Sequence, residues 1–309
     1  MQILKTTTNF DFMGRRKIAV IASLVLLGLT VLSLATRGLN FGIDFTGGVL
    51  IEVAYESPAD LPAIRSALAE AGFDNAQVQN FGTATDVLIR LLPQENRDEK
   101  DMRDQVMTVL EQASGEVSLR RSELVGPQVG KELTEQGGLA MMFALMMIMA
   151  YVWLRFQWKF SIGAVAALVH DVILTLGFFS VLQLPFDLSV LAAVLAVISY
   201  SLNDTIVVFD RIRENFLTIR KATPIVIMNS SINQMLARTV VTSFTTLLVL
   251  AALYFLGGEA IRPFSTALIV GVVVGTYSSI YVAGTTTLAL DVSTLDLMPP
   301  QEGPIDDMP

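Results

Sequence analysis

The apolar run Leu188-Ser189-Val190-Leu191-Ala192-Ala193-Val194-Leu195-Ala196-Val197-Ile198 continues into Ser199-Tyr200-Ser201-Leu202-Asn203-Asp204-Thr205-Ile206-Val207-Val208-Phe209. A charged exit follows at Asp210-Arg211-Ile212-Arg213. The run from Leu188 to Phe209 is long enough to cross about 30 Å of hydrocarbon as a helix. Its second half turns polar without stopping. A carboxylate inside a membrane helix costs roughly 2.5–3.5 kcal/mol on insertion scales, so Asp204 is a functional-site candidate, and the rest of the chain reads as its frame.

Of the 309 residues, 52% are hydrophobic and 16% are charged, with a mean hydropathy of +0.57. A soluble domain carries about 25% charged residues, so this composition is that of an integral membrane protein. The net charge of -8 points to no nucleic-acid partner, because charge in a membrane protein is read loop by loop. With no cysteine and a single histidine, disulfides, thiolate or multi-histidine metal sites and cysteine nucleophiles are excluded. No cofactor is implied.

Residues 1–17 form a short basic tail with Lys5, Arg15, Arg16 and Lys17, ahead of an apolar run over 18–36. A cleaved signal is the alternative to an anchor here, and the later spans favour the anchor. Residues 37–136 have a soluble composition. Val49–Tyr55 alternates as a strand, 57–71 and 95–113 read as amphipathic helices, and 77–81, 86–92 and 116–125 as strands. The order is βαββαβ, the split βαβ or ferredoxin-like α+β pattern.

Residues 137–290 hold five more apolar runs, near 138–154, 161–182, 188–209, 240–256 and 264–290. Basic residues gather in the N-terminal tail, at Arg155 and Lys159, and at Arg211, Arg213, Arg220, Lys221 and Arg238, whereas 183–187 and 257–263 share only Arg262. The positive-inside rule then places both termini in the cytoplasm and the 37–136 domain outside. The expected fold is an all-α six-helix membrane bundle with one extracytoplasmic domain. The 210–238 segment reads as a cytoplasmic loop carrying an amphipathic surface helix. Gly271, Gly275, Ser278 and Ser279 read as a small-residue seam for close helix approach. The acidic, proline-containing tail 291–309 reads as disordered.

Asp204 sits about six residues, roughly 9 Å, inside the cytoplasmic end of its span. Arg238 stands at the boundary of the next span and has the reach to pair with it. A carboxylate beside a guanidinium favours its charged form and a desolvated one its protonated form. A packing change would then load or release a proton, while a static polar contact between helices is the alternative. Asn203 and Ser201 are expected to satisfy neighbouring helices or water. His170 and Asp171 lie mid-span, as a relay pair or as a hydrogen-bonded packing pair. Successive residues point about 100° apart, so only one of them should face the interior squarely.

Several motifs resemble one family. Gly42-Ile43-Asp44-Phe45-Thr46-Gly47-Gly48, Val125-Gly126-Pro127-Gln128-Val129-Gly130, His170-Asp171-Val172-Ile173-Leu174-Thr175, Ser201-Leu202-Asn203-Asp204-Thr205-Ile206-Val207-Val208 and Asp210-Arg211-Ile212-Arg213-Glu214-Asn215 are similar to those of the SecD/SecF membrane proteins. The length suits the shorter branch. The resemblance implies half of an RND-superfamily assembly in the bacterial inner membrane, completed by SecD. That assembly works beside the SecYEG translocon and draws preproteins out with the proton-motive force. It also matches Asp204 to the family's membrane aspartate and Arg238 to its basic partner. The six spans imply lipid contact, and the residues indicate no covalent chemistry. A small-molecule exporter and a non-conducting scaffold are the competing readings.

Overall fold

The computed structural model describes residues 8–93, 99–219, 221–258 and 260–293. Most of the expected acidic tail and the start of the N-terminal tail lie outside the described residues. In order, the elements are α1 (Arg16–Thr36), β1 (Asn40–Phe41), α2 (Ile43–Thr46), β2 (Gly48–Tyr55), α3 (Leu61–Glu70), β3 (Gln77–Phe81), β4 (Thr83–Leu91), α4 (Glu99–Ser114), β5 (Val117–Val125) and α5 (Pro127–Arg155). Then follow α6 (Trp158–Leu182), β6 (Pro185–Phe186), α7 (Leu188–Thr218), α8 (Pro224–Leu256), α9 (Arg262–Ile280) and α10 (Val282–Ala289). Among the described residues, α1, α5, α6, α7, α8 and the α9–α10 pair are long and apolar enough to cross a membrane. The chain is a multi-pass membrane protein.

Between α1 and α5, the four strands β2 to β5 form one antiparallel sheet in the order β3-β4-β2-β5. Alternation builds its core. Val49, Ile51 and Val53 point to one face and are fully buried, where they meet Ile64 and Leu68 of α3 and Met102, Val106 and Leu110 of α4. Asp60 caps α3 by accepting from the Ala63 N–H at 3.1 Å. The opposite face, with Glu52, Gln79, Arg90, Arg121 and Glu123, looks across a cavity of about 250 Å³ at Asp187 and Pro263 of the bundle.

The glycine-rich motif makes the dock between sheet and bundle. β1 pairs in parallel with β6, and the Gly42 N–H donates to the Phe186 carbonyl at 2.8 Å. Asp44, in the one-turn α2, accepts from the Leu188 N–H at 2.8 Å, while Asp187 accepts from the Val190 N–H at 2.9 Å. The two carboxylates therefore satisfy the first free donors of α7 and complement its dipole. Phe41, Phe45 and Phe186 pack edge-on or tilted around this joint. Burial pulls the Arg90 guanidinium below its ordinary pKa, with Asp187 and Asp44 pulling the other way.

Three helices differ from the sequence expectation. The second span starts at Pro127, one strand-end after β5, and its first turns carry Lys131, Glu132 and Glu135. α7 continues to Thr218, and α8 runs unbroken from Pro224 to Leu256. The expected surface helix within 210–238 is thus the first half of α8, leaving a connection of only a few residues. Packing explains this: Ile227, Met228 and Ile232 are buried with Phe156, Phe160, Phe209 and Phe216 in one apolar core, so this stretch has a protein surface to cover.

The N-terminal segment is also held. Met13 is fully buried, its N–H donates to the Asn229 Oδ1 at 2.8 Å, and the Phe10 N–H donates to the Asn233 Oδ1 at 2.8 Å. The Gly14 N–H and the Asn229 amide hold the Asp11 carboxyl below the usual carboxylate range.

Gly48 has φ +118°, and a Cβ there would lie 2.1 Å from the Leu91 carbonyl oxygen. Gly115 also has positive φ, at +81°, but open space around it. Gly115→Ala should cost about 1–2 kcal/mol for the backbone alone. Gly48→Ala should cost clearly more and expose the sheet domain to protease, and limited proteolysis of the two variants side by side measures the difference.

Candidate functional site

Asp204 lies on α7 where that helix meets α8 and α9. Its Oδ1 accepts from the Thr239 hydroxyl of α8 at 2.8 Å and its Oδ2 from the Ser279 hydroxyl of α9 at 2.6 Å. Asp171, on α6 and fully buried, has a second such cradle. Its Oδ2 accepts from Ser201 of α7 at 2.5 Å and from Ser278 of α9 at 2.7 Å, and its Oδ1 lies 3.0 Å from Nδ1 of His170. The adjacent Ser278 and Ser279 thus serve one carboxylate each. A buried carboxylate is tolerated when its lone pairs are met, and here hydroxyls meet them.

Small residues on α9 bring the helices close enough. A Cβ on Gly275 would sit 3.1 Å from the Ser201 Cβ and 3.6 Å from the Asp171 Oδ2. A Cβ on Gly271 would overlap Val197 of α7 at 2.1 Å. The seam read from the sequence as a packing device therefore also builds the polar site.

Several expected site residues fall elsewhere. Arg238 is exposed, and among the described residues it makes no ion pair with Asp204, although its charge acts on that carboxylate from a distance. Its neighbour Thr239 is the residue that faces α7, because one step along a helix turns the side chain by about 100°. Asn203 is exposed and outside the cradle for the same reason. His170 and Asp171 are both buried, 3% and 0% exposed, but they point to different sides: Asp171 meets the hydroxyls of α7 and α9, and His170 faces Tyr277 and the space between α1, α6 and α10. The short bond between them lets one ring edge share the carboxylate's pocket. His170 Nε2 is buried with no partner among the described residues. At the end of the bundle far from the sheet, Asp210 pairs with Arg155 at 3.1 Å, and Arg211 with Glu214 at 2.6 Å.

Thr239, Ser278 and Ser279 carry no sequence signal as carboxylate partners. Of the glycine motif, Asp44 binds the α7 N-terminus, Gly42 bonds β6, and Gly130 admits the Phe45–Gly47 turn, since a Cβ there would sit 2.8 Å from the Phe45 oxygen. Thr46 bonds the Gly42 carbonyl at 3.1 Å, Gly47 closes α2, and Gly48 starts β2.

Residues 105–293 match the family described as "Protein export membrane protein SecD/SecF, C-terminal", and residues 32–59 match the "SecD/SecF GG Motif". A Vibrio alginolyticus protein named "Protein translocase subunit SecF" is 51% identical over 301 residues, 97% of this chain and 96% of that one. The crystal structure of SecDF, a translocon-associated membrane protein from Thermus, superposes with a TM-score of 0.85 at 37% identity. It matches 94% of this chain and 40% of its own. A structure of SecDF in a super-membrane-facing form gives a TM-score of 0.70 at 38% identity over the same shares.

The overlap at Gly271 predicts a paired outcome. Gly271→Ala should lower stability by about 1–3 kcal/mol through overpacking, and adding Val197→Ala should recover most of that loss. Thermal melting of the two variants in detergent decides it, and equal losses in both would contradict the seam.

Proposed function

The chain belongs to the SecD/SecF family of protein-export membrane proteins, and from that premise we propose that it is the SecF-type accessory subunit of a Sec translocase. In this reading it pairs with a SecD-type partner, works beside a SecYEG-type channel and uses the proton-motive force to promote preprotein export. The observation that carries the reading is the pair of carboxylates, Asp204 and Asp171, held at membrane depth by hydroxyls from α7, α8 and α9.

Hydroxyl cradles suit proton handling. A hydroxyl that donates to a carboxylate can rotate and accept from a carboxylic acid, so the hydroxyls of each cradle suit both protonation states of their carboxylate. Asp204, Asp171 and His170 are the proton-handling residues of this proposal, and Arg238 and Asn203 act from the partner-facing side. One charge crossing 100 mV yields about 2.3 kcal/mol, and it does work when protonation favours one helix arrangement over another.

α7 supplies the lever. From Leu188 to Asp204 it rises about 24 Å at 1.5 Å per residue, and its first N–H is gripped by Asp44 of the domain motif. A shift of α7 against α9 therefore reaches the sheet domain through a direct bond. The lower TM-score to the super-membrane-facing form, at the same coverage and nearly the same identity, supports a family whose parts rearrange.

Exposed Ser199, Asn203 and Arg238 on α7 and α8 support the partner. The Ser199 hydroxyl bonds its own helix at Leu195 and Arg238 stands at the span boundary, so Asn203, whose amide hydrocarbon cannot satisfy, argues most directly for a protein surface here. This chain spans 40% of the SecDF chain, which leaves room there for the other half. The strand order β3-β4-β2-β5 supports a ferredoxin-like sheet domain. Arg15, Arg16, Lys17, Arg155 and Arg211 stand at the far end of the bundle. By the positive-inside rule that end and both termini are cytoplasmic, and the domain is on the periplasmic side of the inner membrane.

Asp204→Asn keeps size and hydrogen bonding but removes titration. In cells with matched levels of the assembled complex, secretion of a reporter preprotein should fall to that of a strain lacking the chain. Asp171→Asn should act in the same direction. Normal secretion in Asp204→Asn would make the aspartate a static helix contact and the chain a scaffold.

A further inference from the structure

α1 touches the bundle along one stripe, with Ala19, Ser23, Thr30 and Ser33 buried and Ile18, Ile21 and Leu24 exposed. Beside that stripe a cleft of about 590 Å³ opens between α1, α6 and α10, walled by Val20, Leu24, Leu27, Val169, Ile173 and Val282. The Tyr277 hydroxyl in this wall is already engaged, donating to the Ala19 carbonyl at 2.8 Å and lying 2.9 Å from the Ser23 hydroxyl. The exposed surface of the cleft is mostly apolar, with His170, Tyr281, Thr285 and Thr286 among the other lining residues.

The mouth of the cleft is basic. Side chains three and four residues apart share a helix face, so Arg16 lies one turn before Ala19 and Val20 on the cleft side, donating to the Met13 carbonyl at 2.8 Å, and Arg15 and Lys17 flank it. Arg15 acts electrostatically on Tyr281, itself a cleft residue. Among the described residues neither Arg15 nor Lys17 is in an ion pair, and both are exposed. Asp11, whose Oδ1 accepts from the Gly14 N–H and the Asn229 amide, is an ionised carboxylate on which Arg15 and Arg16 both act, so the three cations share one acid and keep a net positive charge. An apolar slot that ends in a net-positive cluster of three cations and one carboxylate matches a lipid with an anionic head group.

We propose that this cleft binds one anionic phospholipid, with an acyl chain between α1, α6 and α10 and the phosphate on Arg15, Arg16 and Lys17. The position has a consequence for the carboxylates. His170 lines the cleft and holds Asp171, and α10 continues from α9, which carries Ser278 and Ser279. A lipid there backs the wall against which both cradles are built.

The test uses the full chain assembled with its SecD-type partner and purified in mild detergent. Native mass spectrometry then measures retention of added phosphatidylglycerol against phosphatidylcholine of the same chains. The wild type should keep one phosphatidylglycerol in preference. Arg15→Gln should weaken retention by several-fold, on the scale of one interfacial charge. Leu24→Trp, at a side chain 62% exposed, should abolish it by filling the slot. Equal retention of the two lipids by wild type and variants would overturn the proposal. So would a photo-crosslinker at position 20 that captures a polypeptide rather than a lipid, because a partner helix would then cover the cleft.

Discussion

Everything in the bundle depends on how closely α7 and α9 approach. Hydrocarbon offers a carboxylate nothing, so Asp204 and Asp171 persist only where other helices bring hydroxyls within bonding distance. Gly271 and Gly275 allow that approach, and Ser278 and Ser279 use it. The packing that holds the helices together and the hydrogen bonding that retains the charges are one arrangement. A change of protonation at either carboxylate therefore acts on the contact that sets the spacing of α7 and α9.

α7 carries that change outward. It is continuous from its cap at Asp44 and Asp187 to the apolar core around Phe209 and Phe216. Helix, cap and docked turn form a short mechanical path with few soft joints. The sheet domain presents a polar face over the bundle, with Arg90 partly desolvated between Asp44 and Asp187, and its attachment combines those polar contacts with the Phe41, Phe45 and Phe186 cluster. Such a joint is suited to a domain that changes its tilt.

What the sequence made legible follows from the range of the forces involved. The alternation of Val49, Ile51 and Val53 and the stripe of Met102, Val106 and Leu110 are local, and they place the sheet and its helices within a few residues. Asp204 is legible because it is an anomaly. Its partners are not: Ser279 and Thr239 look like the many membrane serines and threonines that bond their own helix carbonyls, as Thr242 and Thr245 do. Arg238 was legible as a charge, but a rotation of one residue decides that Thr239 makes the contact. The unbroken α8 did have a signal, since residues 225–256 hold no glycine or proline. The amphipathic pattern of its first half outweighed that signal, because the apolar core it covers is tertiary.

The central claim is that titration in the α7–α9 seam moves the sheet domain. The most direct measurement is the distance between spin labels on Ser66 of α3 and Leu182 of α6, both exposed, in the assembled complex in nanodiscs across a range of pH. The account predicts a pH-dependent shift in the distance distribution that disappears in Asp204→Asn. A shift that persists unchanged in that variant, or no shift in the parent complex, would contradict it.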